Sequence, residues 1–302
     1  MKRIILLFLS IITLTVSSVL ADELPIREKF NNSKPTYSNK YSVIRFFQDQ
    51  VYYANKKNMK AFFNLYAPEY TNNDGFNLEV SKNIIDSLWK EKSDIKYHNT
   101  VNTISFYGDF AIVNVTETST ADVFNESNQK GTLKSCSNIT YYLKRAGKSW
   151  QIASENVVSE EINMRWGDAR CVAMFMEAPH EVLANTEYSA KLYIAPPTGL
   201  QAIASISSEK ISHPQRTQKD VFRKFSTDYS LERLLVANSD NTNEYAISTI
   251  MFSSANSNKV TGYACLIRRV NVIPQNKFIE VQKNSNEKDK KKQINLLHLM
   301  HY

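Results

Sequence analysis

The hydrophobic period of this 302-residue chain switches at Ser93-Asp94, and that switch restricts the folds open to it. Before it, Val43, Phe46, Phe47, Gln50, Val51 and Ala54 recur at spacings of three and four, which places them on one face of a helix. Asn55-Lys56-Lys57-Asn58 interrupts the pattern, and Met59, Phe62, Phe63 and Tyr66 predict a second, short helix ended by Pro68. Asn72-Asn73-Asp74-Gly75 reads as a turn, and Val80, Ile84, Ile85, Leu88 and Trp89 mark a third helix. After Asp94 the period is two. Ile95, Tyr97 and residues 101–106 lead to a hairpin turn at Tyr107-Gly108-Asp109, and Phe110, Ile112, Val113 and Val115 begin the next strand. Residues 133–143 form another strand, and Arg145-Ala146-Gly147-Lys148 turns into Trp150, Ile152 and Ala153. This order predicts an α+β unit over 41–162, three helices on one face of a curved antiparallel sheet.

From Trp166 the pattern is strand and turn throughout. Apolar runs occur at 171–176, 188–194, 200–206, 231–237, 245–252 and 263–273, with Pro179, Pro196-Pro197, Pro214 and the Asn-rich stretch 238–243 between them. In the second run Tyr188, Ala190, Leu192 and Ile194 alternate with Ser189, Lys191 and Tyr193, as a half-buried strand requires. Short strands at this spacing resemble an immunoglobulin-like β-sandwich, expected over 163–281, although the Trp and Cys spacing of antibody domains is not reproduced. The division expected is therefore two separately folding units meeting near 162/163.

The N-terminus has the layout of a secretory signal. Lys2 and Arg3 precede an apolar run from Ile4 to Leu20, with the small residue Ala21 at its end. Residues 1–21 are read as a signal peptide cleaved after Ala21; an uncleaved anchor is the alternative, and Thr13, Thr15, Ser17 and Ser18 weigh against it. Residues 22–40 are read as a linker and 282–302 as a disordered basic tail. The short Met-Lys-Arg opening suits a bacterial signal, so the expected location is the periplasm or exterior of the bacterial envelope. Loss of Lys2 and Arg3 takes two from the net charge of +7, and residues 283–292 hold much of the rest. A charge spread in this way is no nucleic-acid footprint, and seven glycines leave no loop to cradle a phosphate.

Residues 41–160 resemble the nuclear transport factor 2-like family, a cone of curved sheet closed by helices. The resemblance rests on the first helix, the break at Asn55 to Asn58, the stretch Phe62-Phe63-Asn64-Leu65-Tyr66-Ala67-Pro68-Glu69, and the closing Gly147-Lys148-Ser149-Trp150-Gln151-Ile152. It speaks to fold more than to function. The family includes ketosteroid isomerases and related dehydratases, in which an Asp abstracts a proton while a phenol helps hold the oxyanion. Counted from Leu65-Tyr66-Ala67, the base position falls on Asp74 and the phenol position on Gln50, with Tyr52 and Tyr53 out of step. An amide is a poorer oxyanion partner than a phenol, and a polar Asn-Asn-Asp-Gly turn explains Asp74 as a water-facing turn residue.

Cones of this family are often hollow, and Phe47, Tyr66, Trp89, Phe106 and Tyr142 are the aromatics expected to line the mouth against a small apolar ligand. No spacing suggests a metal site, and no cofactor is implied. Of the three cysteines, Cys171 and Cys265 sit in strand-like runs at opposite ends of the second unit and form the expected disulfide; Cys136 is left over. The reading these residues support is a non-catalytic, exported binding or protein-interaction module of the envelope. Its partners would be a small apolar ligand or an envelope protein, with the oligomeric state open and a dimer compatible. An isomerase or dehydratase acting on a small apolar substrate in the cone, and a purely structural envelope component, are the alternatives.

Overall fold

The computed structural model describes residues 40–125, 127–216, 218–254 and 259–275. The signal segment, nearly all of the 22–40 linker and the 282–302 tail lie outside the described residues. Helix α1 (Lys40–Asn55) buries Val43, Phe46, Phe47, Gln50 and Ala54, the face its spacing predicts. Asn55 fixes its end: the side chain amide donates to the Tyr97 carbonyl and accepts from the Tyr97 N–H, both at 2.9 Å. Asn58 then caps helix α2 (Met59–Phe63), its side-chain oxygen taking the orphan Ala61 N–H of the first turn. Helix α2 is shorter than expected. Tyr66 opens strand β1 (Tyr66–Asn72) instead of closing a helix, because Pro68 cannot continue a helix and the Ile152 N–H captures the Leu65 carbonyl at 2.8 Å. Asn77 caps helix α3 (Leu78–Glu91) in the same way, and that helix buries Ile84, Ile85, Leu88 and Trp89.

Four long strands come next: β2 (Lys96–Tyr107), β3 (Phe110–Phe124), β4 (Lys130–Ala146) and β5 (Ser149–Gly167), paired antiparallel in that order. The three helices pack on one face of them, around a core that includes Phe47, Phe62, Trp89, Val113, Tyr141 and Ile152. The α+β layout and the antiparallel meander are thus as the hydrophobic period predicts.

The rest of the chain is β6 (Ala173–Glu177), β7 (Glu181–Leu183), β8 (Glu187–Ala195), β9 (Leu200–Lys210), β10 (Arg223–Lys224), β11 (Ser230–Val236), β12 (Glu244–Ser254) and β13 (Val260–Ile273). Strands β11-β8-β6 form a three-stranded sheet. It faces β9, β12 and β13 across a second core with Met176, Leu192, Ile206, Phe252 and Leu266. These are two β layers, but one of them is not separate. It continues the first sheet, in the order β10-β9-β12-β13-β5-β4-β3-β2.

The strand that joins them is β5. Its first half lies beside β1 in parallel (Tyr66 opposite Ile152), and its second half lies beside β13 in antiparallel, from Arg268 opposite Glu161 to Gly262 opposite Gly167. The boundary expected at 162/163 therefore falls inside an unbroken strand. At the end of this shared pair the backbone crosses itself closely: a Cβ on Gly262 would sit 2.6 Å from the Ala169 nitrogen.

All three cysteines are free, so the expected Cys171–Cys265 disulfide is not formed. Successive residues of β13 point to opposite faces. Cys265 and Ile267 enter the first core, whereas Ala264, Leu266 and Ala169, two residues before Cys171, belong to the second. Cys171 ends the exposed 3-10 turn Asp168–Cys171, whereas the Cys265 thiol is buried in the first core. Among the described residues no helix is long and apolar enough to cross a membrane.

Candidate functional site: a buried carboxylate network

Strict alternation would not bring Glu155 and Glu160 to the same face of β5. Two β-bulges do. Tyr142 pairs with Ser154 and Leu143 with Ile152, which leaves Ala153 unpaired; Asn138 pairs with Ser159 and Ile139 with Val157, which leaves Val158 unpaired. Each extra residue reverses the facing of the strand beyond it. After Trp150 and Ile152, the inward positions become Glu155 and then Glu160, succeeded by Ile162 and Met164. On the neighbouring strands the inward rows also turn polar in mid-sheet, with Glu117 and Ser119 on β3 and Ser135 and Ser137 on β4, all buried.

These groups hydrogen-bond one another. The Tyr141 hydroxyl donates to Glu117 Oε1 at 2.7 Å, the Tyr245 hydroxyl donates to Glu160 Oε2 at 2.6 Å, and the Ser119 and Ser135 hydroxyls meet at 2.9 Å. Asp74 completes the network, and not as a water-facing turn residue. Its side chain is 5 % exposed and that of Arg269 only 1 %. Arg269 of β13 grips both carboxylate oxygens, Nη1 to Oδ2 at 3.0 Å and Nη2 to Oδ1 at 2.5 Å. Asn243 adds a third donor to Oδ1 at 2.9 Å. The guanidinium is oriented in turn by Asn271, whose Oδ1 accepts from Arg269 Nε and whose amide donates to the Val158 carbonyl at the second bulge. The backbone does turn at Asp74, where Asn72 Oδ1 accepts from the Asp74 and Phe76 N–H groups. A local turn pattern is silent about a partner 195 residues away.

Burial without full neutralisation sets the electrostatics. Desolvation pushes the Glu155 carboxyl up to about 7; Tyr70 and Arg269 oppose that rise, while Asp74 and Glu160 add to it. Glu160 is likewise pushed up to about 7 by burial, against the Tyr245 hydrogen bond and Arg269. Burial and the neighbouring carboxylates hold Tyr66, Tyr70, Tyr141 and Tyr245 well above the ordinary phenol range, so all four stay neutral donors.

These shifts tie stability to pH with a definite sign. A carboxyl raised from 4.5 to about 7 on folding contributes its full stability below about pH 4.5 and loses it as the pH rises through 7. Each group alone corresponds to roughly 3 kcal/mol, and the pair to less than twice that because they share Arg269 and repel each other. Urea denaturation should therefore give a lower midpoint at pH 8.5 than at pH 5. Glu160→Gln should flatten the difference, and a midpoint that rises over this interval would contradict the assignment.

Three side chains beside the network carry buried polar atoms with no hydrogen-bond partner: both amide atoms of Gln50, the Tyr66 hydroxyl and Glu155 Oε2. Gln50 is fully buried. It stands near enough to the Tyr66 hydroxyl to ease that phenol's shift, yet the two lie outside hydrogen-bond geometry.

The aromatics expected at the mouth of the cone fall into two groups. Phe47, Tyr66 and Trp89 are buried in the first core, Phe47 against Tyr141 and Trp89 against Phe62, and Phe106 is half-buried against Trp150. Tyr142 does not line the interior: it comes directly after inward Tyr141, so it points outward and is 40 % exposed. Glu117, Glu155, Glu160 and Arg269 were not among the expected site residues. Among the described residues no group of three or more His, Cys, Asp or Glu side chains converges to hold a metal ion. A separate open groove of about 420 Å³ lies at the end of the second unit, lined by Ile194, Pro196, Phe225, Tyr229 and Met251 among others.

The chain matches no known family model and no curated relative. Part of it is similar to solved structures. One is a Bdellovibrio bacteriovorus protein, Bd1075, with 15% identity, a TM-score of 0.33 and 39% of each chain covered. A hexachlorocyclohexane dehydrochlorinase of type 2 has 14% identity and a TM-score of 0.33, with 39% of this chain and 82% of that one covered. A protein of the nuclear transport factor 2-like family from Streptomyces avermitilis has 14% identity and a TM-score of 0.34, with 39% and 93% covered. The chain thus spans well under half of the Bdellovibrio protein. At these identities and TM-scores the likenesses carry no functional argument.

Proposed function

We propose that this protein is an exported binding module of the bacterial envelope, in which a nuclear transport factor 2-like cone holds a small ligand and an immunoglobulin-like β unit braces it. The observation that carries the reading is Gln50. A glutamine with no exposed surface and no partner for either amide atom is costly to bury, and such groups in a folded protein call for a bound water or ligand. Tyr66 and Glu155 present their own unpartnered atoms in the same neighbourhood. Binding is favoured over catalysis by Asp74, because the acid at the family's base position is held in a two-pronged ion pair with Arg269. Three donors engage its two oxygens.

One observation favours a second reading, an isomerase- or dehydratase-type enzyme. Glu155, with its carboxyl near 7 and a free oxygen, has the properties of a proton acceptor at neutral pH. That enzyme would use Glu155 in place of Asp74.

The test is a thermal-shift screen of small polar and aromatic compounds against the full chain, repeated on Gln50→Leu. A ligand at about a hundred times its Kd contributes about 2.7 kcal/mol to stability. Gln50→Leu should keep the fold and lose that gain. Compounds that stabilise both proteins equally would place binding elsewhere. Exchange of a ligand's carbon-bound hydrogen with deuterated solvent, abolished by Glu155→Gln, would move the conclusion to the enzyme.

A further inference from the structure

We infer that the ligand group seated against Glu155 is a cation, a small organic amine in its ammonium form; this rests on the binding reading above. Buried charge in this interior is out of balance. Three carboxyl side chains that act on one another lie out of water: Asp74, Glu155 and Glu160. The cation among the main influences on Glu155 and Glu160 is Arg269. Arg269 is already engaged, with two nitrogens on Asp74 and the third on Asn271. The remaining groups around Glu155 are phenols, Tyr66, Tyr70 and Tyr141, which carry no positive charge. The interior is therefore short of positive charge, and protons on Glu155 and Glu160 make up the deficit when nothing else does.

The surroundings of the free Glu155 oxygen point the same way. Tyr70, which hydrogen-bonds Glu155, packs edge-on to Tyr66 with ring centroids 4.9 Å apart, and Glu155 acts on Tyr66 and Tyr141 as well. Aromatic faces are electron-rich and attract a desolvated ammonium. A carboxylate among such rings suits an organic cation, which would donate to Glu155 Oε2 and take the place of the carboxyl proton. Gln50 supplies an amide oxygen for a second ammonium hydrogen. A neutral alcohol could use the same acceptors but would leave the charge uncompensated, and a carboxylate ligand would add to the repulsion.

The test is calorimetric titration of the full chain with ethylamine and benzylamine against the matched neutral probes ethanol and benzyl alcohol. At about pH 8 benzylamine should bind roughly 10- to 100-fold more tightly than benzyl alcohol, as expected of a hydrogen bond to a charged acceptor. Its affinity should fall at pH 6, where the Glu155 carboxyl takes up a proton and competes, while that of benzyl alcohol stays level. Glu155→Gln, matched in shape and checked by its thermal melt, should remove the preference. The inference is overturned if the alcohols bind as well as the amines, or if the preference survives in Glu155→Gln. If amines and alcohols bind equally and Gln50→Leu weakens both, the site stands and its charge preference falls. If none of the four binds, the inference falls, and the Gln50-dependent screen decides separately whether the binding reading falls with it.

Discussion

Asp74→Ala should lower the stability of the folded chain by about 3–5 kcal/mol, the cost of breaking a buried ion pair by removing one partner. The cost comes from the charge left behind. Arg269 would keep its charge in a site with 1 % of its side chain exposed, with Asn271 accepting from its Nε and Glu160 the remaining carboxyl among its main influences. Burial alone would lower its pKa; Asp74 is the largest influence holding it up. Asp74→Asn should cost less than Ala, since an amide oxygen still accepts from the guanidinium, but far more than the near-neutral change a water-facing turn residue would permit. Thermal melts of both variants check this. Adding Arg269→Met to Asp74→Ala should recover part of the loss, because an uncharged side chain of similar length has nothing left to neutralise. Recovery should be incomplete, since Arg269 also restrains Glu155 and Glu160. A well-folded Asp74→Asn chain with an unaltered melt would show that the clasp contributes nothing.

The elements of the fold were legible in the sequence, and their joins were not. Helix α1, its break and the existence of each main strand can be read from local spacing, because burying one face of a helix or strand is a local constraint on residue type, although β4 and β13 begin at Lys130 and Val260, three residues earlier than the apolar runs. Asn55 was legible as a break but not as the clamp on Tyr97, since a pairing across 42 residues leaves no trace in spacing. Glu117 and Ser119 did leave a signal: they share the parity of Ala111, Val113 and Val115, so extending the strand would have placed them inward. Glu155 and Glu160 left none, because the bulges at Ala153 and Val158 reverse the facing twice and local alternation cannot locate a bulge. Tyr142 failed in the opposite sense, an aromatic chosen for type where parity with Tyr141 already pointed it outward. The shared strand was missed for a related reason. Residues 160–167 alternate like any strand, and nothing local says that both of their neighbours are strands of different units.

That shared strand sets the largest effect expected. Expressed alone, neither 22–162 nor 163–281 should give a cooperative melt, whereas the intact chain should. Cutting at 162 removes Asn163–Trp166 from their pairing with Gly131–Lys134 of β4 and takes Glu161 and Ile162 from their places opposite Arg268 and Ile267 of β13. It also divides the polar contacts of the clasp: Asp74 and Glu160 would stay on one piece, and Arg269, Asn243 and Tyr245 would leave on the other. The first piece would keep Asp74, Glu155 and Glu160 without Arg269, and the second would carry Arg269 into solvent beside an open strand edge. An exposed edge of that kind pairs with other chains, so aggregation should accompany the loss of the melt. The carboxylates add a diagnostic. If the first piece folds at all, it should do so below about pH 5, where Glu155 and Glu160 are protonated, and fail at pH 8. Mixing the two purified pieces should restore far less than the intact chain, because β5 is covalently one strand. Two sharp, independent melts at neutral pH, one from each piece, would establish separate domains and reduce the continuous sheet to a contact between them.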